Sequence, residues 1–267
     1  MPSPDLALVR DLLERDILRS IVTLKMMKSY ANVMRFRLVQ DGSSWALLSL
    51  LPVSAYPWDR TGYAEAKFAV FLDGDSAQAK MQLLRDLPDT NLIIKTADDV
   101  VRDWAACQPN AVKTATFVSF AAVNWHRSVA VPGQVRQSAI HEEEVWDLFR
   151  MNGYETEELE EHFKSGAQWL GSFTDGRLAA ACFVFQNYEN VWEIGGVNTR
   201  AEFRRKGFGK AIVETALDFL LGRGLIPRYQ AKWDNTASIR LAESCGLSEY
   251  MRVDHFFLRR SLKPLNR

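Results

Sequence analysis

The 267-residue chain is expected to adopt a mixed α/β fold built on a mixed sheet. Three observations lead there. Val191–Val197 is a strand-like run around Gly195-Gly196, and from Gly207 onward Phe208, Ala211, Ile212, Ala216, Phe219 and Leu220 recur at helical spacing. Ile226–Trp233 is a second strand-like run, followed by Asn235 as a helix cap and by Gly246 as the glycine that ends that helix. The N-terminal half shows a similar alternation of strand and helix patterns.

Taken in order, residues 4–29 carry apolar positions from Leu6 to Leu24 at helical spacing and predict one or two helices. Asn32–Val39 and Trp45–Leu51 read as strands about the turn Gln40-Asp-Gly-Ser43, and Pro52–Tyr63 as a loop. Lys67–Leu72 is strand-like, Ala77–Leu87 helical, Asn91–Lys95 strand-like, Asp98–Cys107 helical and Thr114–Val123 strand-like. A punctuated connection at Val131-Pro132-Gly133 places the boundary between a domain of residues 1–130 and one of residues 131–267. Val135–Ala139 then reads as a strand, Glu142–Met151 and Glu155–Phe163 as helices, and Gln168–Phe173 with Leu178–Gln186 as a hairpin about Asp175-Gly176. Tyr250–Arg259 closes as a strand.

Composition narrows the classes. A hydrophobic fraction of 47% with eight tryptophans argues for a folded globule. Lys+Arg and Asp+Glu are equal at 33 each, so no global field points to nucleic acid or to a membrane. Met1-Pro-Ser-Pro-Asp-Leu6 has no signal-peptide pattern, and no apolar run reaches the ~18 residues that span a bilayer. A cytoplasmic protein is expected, with monomer and homodimer both open. Cys107, Cys182 and Cys245 sit in apolar contexts and read as buried thiols, and the four histidines lack metal-ligand spacing, so no metal is expected.

Between the strand and helix of the first motif lies Arg204-Arg-Lys-Gly-Phe-Gly209. Its glycines leave backbone N–H groups open at a helix start, a site suited to pyrophosphate. With Asn235, Ser238, Leu241, Gly246 and Leu247 downstream, this order resembles the GNAT superfamily of acyl-CoA-dependent N-acyltransferases. The pattern Arg/Gln-x-x-Gly-x-Gly/Ala matches Arg204, Gly207 and Gly209, and Asn-x-x-Ser/Ala-x-x-Leu matches Asn235, Ser238 and Leu241. The resemblance covers about residues 134–260. Trp233-Asp234 is similar to a subset carrying an extra N-terminal half, and the first half here reads either as a degenerate copy of the fold or as a separate α/β domain. No Arg-x-x-Gly-x-Gly follows its third strand, where Asp73 and Asp75 would repel phosphates.

The resemblance implies acetyl-CoA as co-substrate and transfer of its acetyl group to a primary amine of a small molecule or peptide, by direct attack. Val197 N–H would polarise the thioester carbonyl, and Thr199 backbone would pair with the pantetheine amides. Arg204, Arg205, Lys206, Gly207, Phe208, Gly209 and Lys210 would form the pyrophosphate loop, and Asn235 and Ser238 would flank the cofactor arm. Gly195-Gly196 marks either a close approach to that arm or a strand thinned for a neighbouring aromatic. Glu193, eleven residues before Arg204, is the candidate general base; beside Trp192 in a half-apolar cleft its pKa would be raised. Ala242 stands where the family often has a tyrosine that protonates the thiolate, leaving the acid unassigned and a non-catalytic acyl-CoA-binding module as the alternative. The acidic stretches Glu142–Glu144 and Glu155–Glu161 suggest either a cationic acceptor or a solvated helix face.

Overall fold

In the computed structural model, which describes residues 4–122, 125–127 and 133–260, the chain divides into two units. The first comprises residues up to Phe117 together with those from Met251 onward, and the second runs from Val118 to Tyr250. The expected cut at Val131-Pro132-Gly133 thus lies within the second unit, and Val131 and Pro132 fall outside the described residues. The chain passes between the units inside strands. Neither Phe117-Val118 nor Tyr250-Met251 carries Pro or Gly punctuation, so the pattern that located the cut had nothing to detect there.

The first unit opens with helices α1 (Leu6–Glu14) and α2 (Ile21–Tyr30), then the antiparallel strands β1 (Arg35–Asp41) and β2 (Ser44–Pro52). Pro57–Gly62, expected as loop, is a six-residue helix, α3, with Pro57 in its first turn where a missing N–H costs nothing. Strand β3 (Phe68–Gly74), helix α4 (Ala77–Arg85), strand β4 (Leu92–Thr96), helix α5 (Asp99–Ala106) and strand β5 (Ala111–Ala122) follow. The sheet order is β1-β2-β3-β4, with the end of β11 (Leu247–Leu258) antiparallel to β4. β3 and β4 are parallel but paired only from Phe68↔Leu92 to Val70↔Ile94, so their C-terminal ends form a fork. Leu83, Leu84, Val101 and Ala105 from α4 and α5 pack on Val70, Leu92 and Ile94 to make the core of this unit.

Asp73, at the fork, accepts a hydrogen bond from the Thr23 hydroxyl at 2.7 Å, and burial pushes its carboxyl up to about 6. The folded state therefore holds this proton more tightly than the unfolded chain does. Asp73 costs stability above pH 6, and that cost is relieved as pH falls from about 6 to about 4. Asp73→Asn is expected to stabilise the fold at pH 7 by roughly 1–2 kcal/mol, with the gain vanishing near pH 4. Denaturant melts of the two proteins at both pH values check this; a variant less stable at pH 7 would contradict it.

The second unit contains β6 (Gln134–Ser138), α6 (Glu143–Arg150), α7 (Thr156–Lys164), β7 (Gln168–Thr174), β8 (Arg177–Tyr188), β9 (Val191–Thr199), α8 (Phe208–Leu221), β10 (Ile226–Lys232) and α9 (Thr236–Ser244). Its sheet order is β10-β9-β8-β7-β6, with the end of β5 beside β10. Asp175 and Gly176, both at positive φ, make the tight β7–β8 turn. Alternation along β8 sends Ala180, Cys182 and Val184 to one core and Ala181, Phe183 and Phe185 to the other. α8 packs on the first of these, burying Ile212, Val213, Leu217 and Leu220 completely. Before conformational entropy is counted, such burial is worth on the order of 10 kcal/mol, which fixes the helix and hence its N-terminus.

Both units run strand, helix, strand, helix, strand from β3 and from β9. Each has a fork between the parallel strands that flank its first helix. Among the described residues, no helix is long and apolar enough to cross a membrane.

Candidate active site

The fork of the second unit starts where pairing stops. β9 and β10 are in parallel register from Val191↔Ile226 to Ile194↔Tyr229, and beyond Ile194 the two strands no longer pair. On its other side β9 pairs with β8, where Gly195 faces Phe183 and Asn198 faces Ala181. Two residues, Gly196 and Val197, thus stand opposite Cys182 alone, which is a β-bulge. Val197 is therefore placed on irregular backbone at the mouth of the fork.

The glycine pair has a packing cause. Gly196 has φ +63°, and a Cβ there would lie 2.5 Å from the Phe183 ring; one at Gly195 would lie 2.9 Å from Phe185. Aromatic side chains press against this strand, as the thinned-strand reading expected. Tyr154, from the α6–α7 connection, accepts a hydrogen bond from Gly196 N–H at 3.2 Å. Burial pushes its phenol up, so it stays protonated at neutral pH.

From Thr199 the chain makes a 3-10 turn at Ala201–Phe203 and then the basic loop. Arg205 and Gly207 are both at positive φ, 59° and 86°, which turns the chain sharply into α8. Gly207 is the N-cap residue, and no side chain caps the helix. The first N–H groups of α8 thus face outward with the positive end of its dipole, where an anion fits. A Cβ at Gly207 would meet nothing within 4 Å, so the space before the helix is open. Arg205 and Lys206 are exposed beside it. Phe208 is buried against Phe203, with ring centroids 5.4 Å apart, and Gly209 allows close approach to Thr199, whose Oγ1 would be 3.1 Å from an added Cβ. Lys210 lies 3.9 Å from the buried Glu214 carboxylate.

Two of the expected site residues have partners within the protein. Thr199 N–H donates to the Asn198 side chain at 2.9 Å, and its carbonyl accepts from Arg204 Nε at 3.0 Å. The Thr199 backbone is therefore engaged within the protein, and Arg204 ties the loop to β9. Nor does Glu193 sit in a half-apolar cleft: it forms an ion pair with Arg228 and accepts from Asn187 Nδ2 at 2.8 Å. Burial works against the Arg228 charge, yet Glu193 and Tyr250 outweigh it and its pKa is raised. The guanidinium also donates to Tyr250 Oη at 3.1 Å and to Ser119 Oγ at 3.0 Å.

Asn235 Oδ1 accepts Ser238 N–H at 3.1 Å, capping α9 as expected, and Ser238 Oγ bonds Tyr229 Oη at 2.7 Å. Ala242 is fully buried in the core beneath α9. Burial pushes the Cys245 thiol up to about 12, which removes it as a nucleophile at neutral pH. The acidic start of α6 is neutralised, with Arg136 on Glu142, Arg150 on Glu143 and Arg200 on Glu144. That stretch offers no unbalanced charge for a cationic acceptor.

Tyr154, Asn187 and Arg228 were not singled out from sequence. The one signal was Arg228 between Pro227 and Tyr229 inside β10, a charge on a strand that needs a carboxylate once buried.

A fork of parallel strands with an uncapped, glycine-led helix at its mouth is the arrangement of the GNAT fold. Residues 138–247 match the family model described as acetyltransferase (GNAT) family, and that stretch is a GNAT acetyltransferase domain. No curated protein matches the chain. Among solved structures it is similar to an acetyltransferase from the GNAT family of Colwellia psychrerythraea, at 13% identity and TM-score 0.60, covering 96% of this chain and 98% of that one. An X-ray structure of a Drosophila protein is similar at 12% identity and TM-score 0.61, covering 96% and 97%. A tandem GNAT protein from the clavulanic acid biosynthesis pathway is similar at 13% identity and TM-score 0.51, covering 91% and 89%. At such identities the likeness is one of fold.

Proposed function

We propose that the protein transfers an acetyl group from acetyl-CoA to a primary amine of a small molecule or peptide, by direct attack in a ternary complex. The observation that carries this reading is the uncapped N-terminus of α8, led by Gly207 at positive φ with open space before it, beside the fork at Ile194. Phe208, Gly209 and Lys210 N–H groups, with Arg205 and Lys206, would hold the pyrophosphate. The irregular backbone at Val197 would present its N–H to the thioester carbonyl, where negative charge develops as the amine attacks.

Glu193 is held in one orientation by Arg228 and Asn187. Its carboxylate, so placed, is suited to ordering a water that passes on the amine proton. The attacking amine must itself be neutral, so the rate should rise with pH along the amine's own ionisation. The thiolate is an adequate leaving group, and water can protonate it, which accommodates the buried Ala242.

That same Ala242 favours the second reading, an acyl-CoA-binding module without turnover. Release of free CoA thiol in the presence of a panel of primary amines separates the two. Turnover is expected with at least one amine, and Glu193→Gln should lower kcat by about 10²-fold or more with KM for acetyl-CoA little changed. Binding of acetyl-CoA with no thiol release across the panel would favour the module.

A further inference from the structure

We propose that the cavity at the fork of β3 and β4 in the first unit binds a small organic amine with an apolar body, whose ammonium group is received by Asp73. The cavity measures about 620 Å³ and lies at the C-terminal ends of two parallel strands that stop pairing at Val70 and Ile94. Its size is that of a small-molecule site, and the ends of parallel strands are where such sites form. Its lining comes from this unit alone.

Charge decides the ligand class. Every cation lining the cavity already has a carboxylate partner. Arg15 pairs with Asp11 at 3.5 Å, Arg19 and Lys80 with Asp98 at 3.4 and 2.6 Å, and Lys95 with the fully buried Asp59. Three lining carboxylates are bonded only to uncharged donors among the described residues. Asp73 accepts from the Thr23 hydroxyl, Asp75 from Trp45 N–H at 2.8 Å, and Asp16 from Arg19 N–H at 3.1 Å. Lys80 and Arg19 attract Asp73 from farther off without forming a bond to it. The unbalanced charge of the cavity is negative. Its walls include Leu12, Trp45, Phe71, Met251 and Val253, which suit an apolar body.

The contrast with the second unit excludes a phosphate ligand. Where α8 is bare, α4 is capped by Ser76 Oγ accepting Ala79 N–H at 3.2 Å, and α5 by Asp98 accepting Val101 N–H at 3.2 Å. Each of these helix starts carries a side-chain cap that α8 lacks, and the carboxylates of Asp75 and Asp98 stand in front of them. The inference does not depend on the proposed acetyl transfer.

Calorimetric titration of the full chain with tryptamine, tryptophol and indole-3-propionate tests it, since the three share a body and differ in charge. Saturable binding of tryptamine is expected, at least tenfold tighter than either of the others. Asp73→Asn, which keeps the side-chain size and an acceptor for Thr23, should weaken tryptamine at least tenfold, and Gly207→Glu should leave it unchanged. Failure of tryptamine to bind the folded protein, equal binding of the alcohol or acid, or an Asp73→Asn variant that binds as well as wild type would each overturn it. Loss of binding in Gly207→Glu alone would place the amine in the second unit and overturn it too.

Discussion

Arg228→Met is expected to destabilise the second unit by about 3–5 kcal/mol, because it strands the Glu193 carboxylate without its counter-charge. The guanidinium is 4% exposed and Glu193 13%, so water cannot take over the vacated role. Loss of the donor also leaves Ser119 and Tyr250 with fewer partners. The double variant Arg228→Met with Glu193→Gln removes both charges and should recover a large part of the loss, since a neutral amide retains its bond to Asn187. Denaturant unfolding of the wild type, both single variants and the double variant gives the coupling directly. A single variant within about 1 kcal/mol of wild type would show that the pair does not hold Glu193 in place.

Gly207→Glu is expected to weaken acetyl-CoA binding by about a hundredfold or more, a loss of ~2.7 kcal/mol. The steric cost is small because nothing lies within 4 Å of the added Cβ. The backbone cost is about 1–2 kcal/mol, because a side chain is placed at φ +86°. The dominant effect is electrostatic: a carboxylate would occupy the open end of α8 where pyrophosphate would sit. Gly207→Asn separates these contributions, since asparagine tolerates the left-handed conformation and carries no charge. It should bind acetyl-CoA within about tenfold of wild type. Equal loss in both variants would assign the effect to backbone strain.

The parts of the site that follow local rules were legible in the sequence. Gly207 and Gly209 mark a tight turn and a close approach, and Asn235 caps the helix it precedes, all within a few residues of chain. The partners of Glu193 were not legible, because Arg228 is 35 residues away and reaches it only through the register of two parallel strands. The same holds for Tyr154, 42 residues from Gly196. Side-chain patterns place strands but do not say which residues end up side by side. Helix α3 escaped because six residues are too few for a helical period to show against Pro57 and Gly62. The return of Met251 and later residues to the first unit depends on which strand β11 pairs with, a choice that no local pattern encodes.

The most direct test of the central claim is calorimetric titration of the full chain with acetyl-CoA. One molecule per chain is expected to bind, since among the described residues only α8 offers an uncapped start beside a fork, and Gly207→Glu should weaken that binding about a hundredfold or more while the protein stays folded. Absence of binding to the folded wild type would contradict acyl-CoA use at this site. A stoichiometry of two would contradict the assignment of the cofactor to the second unit alone.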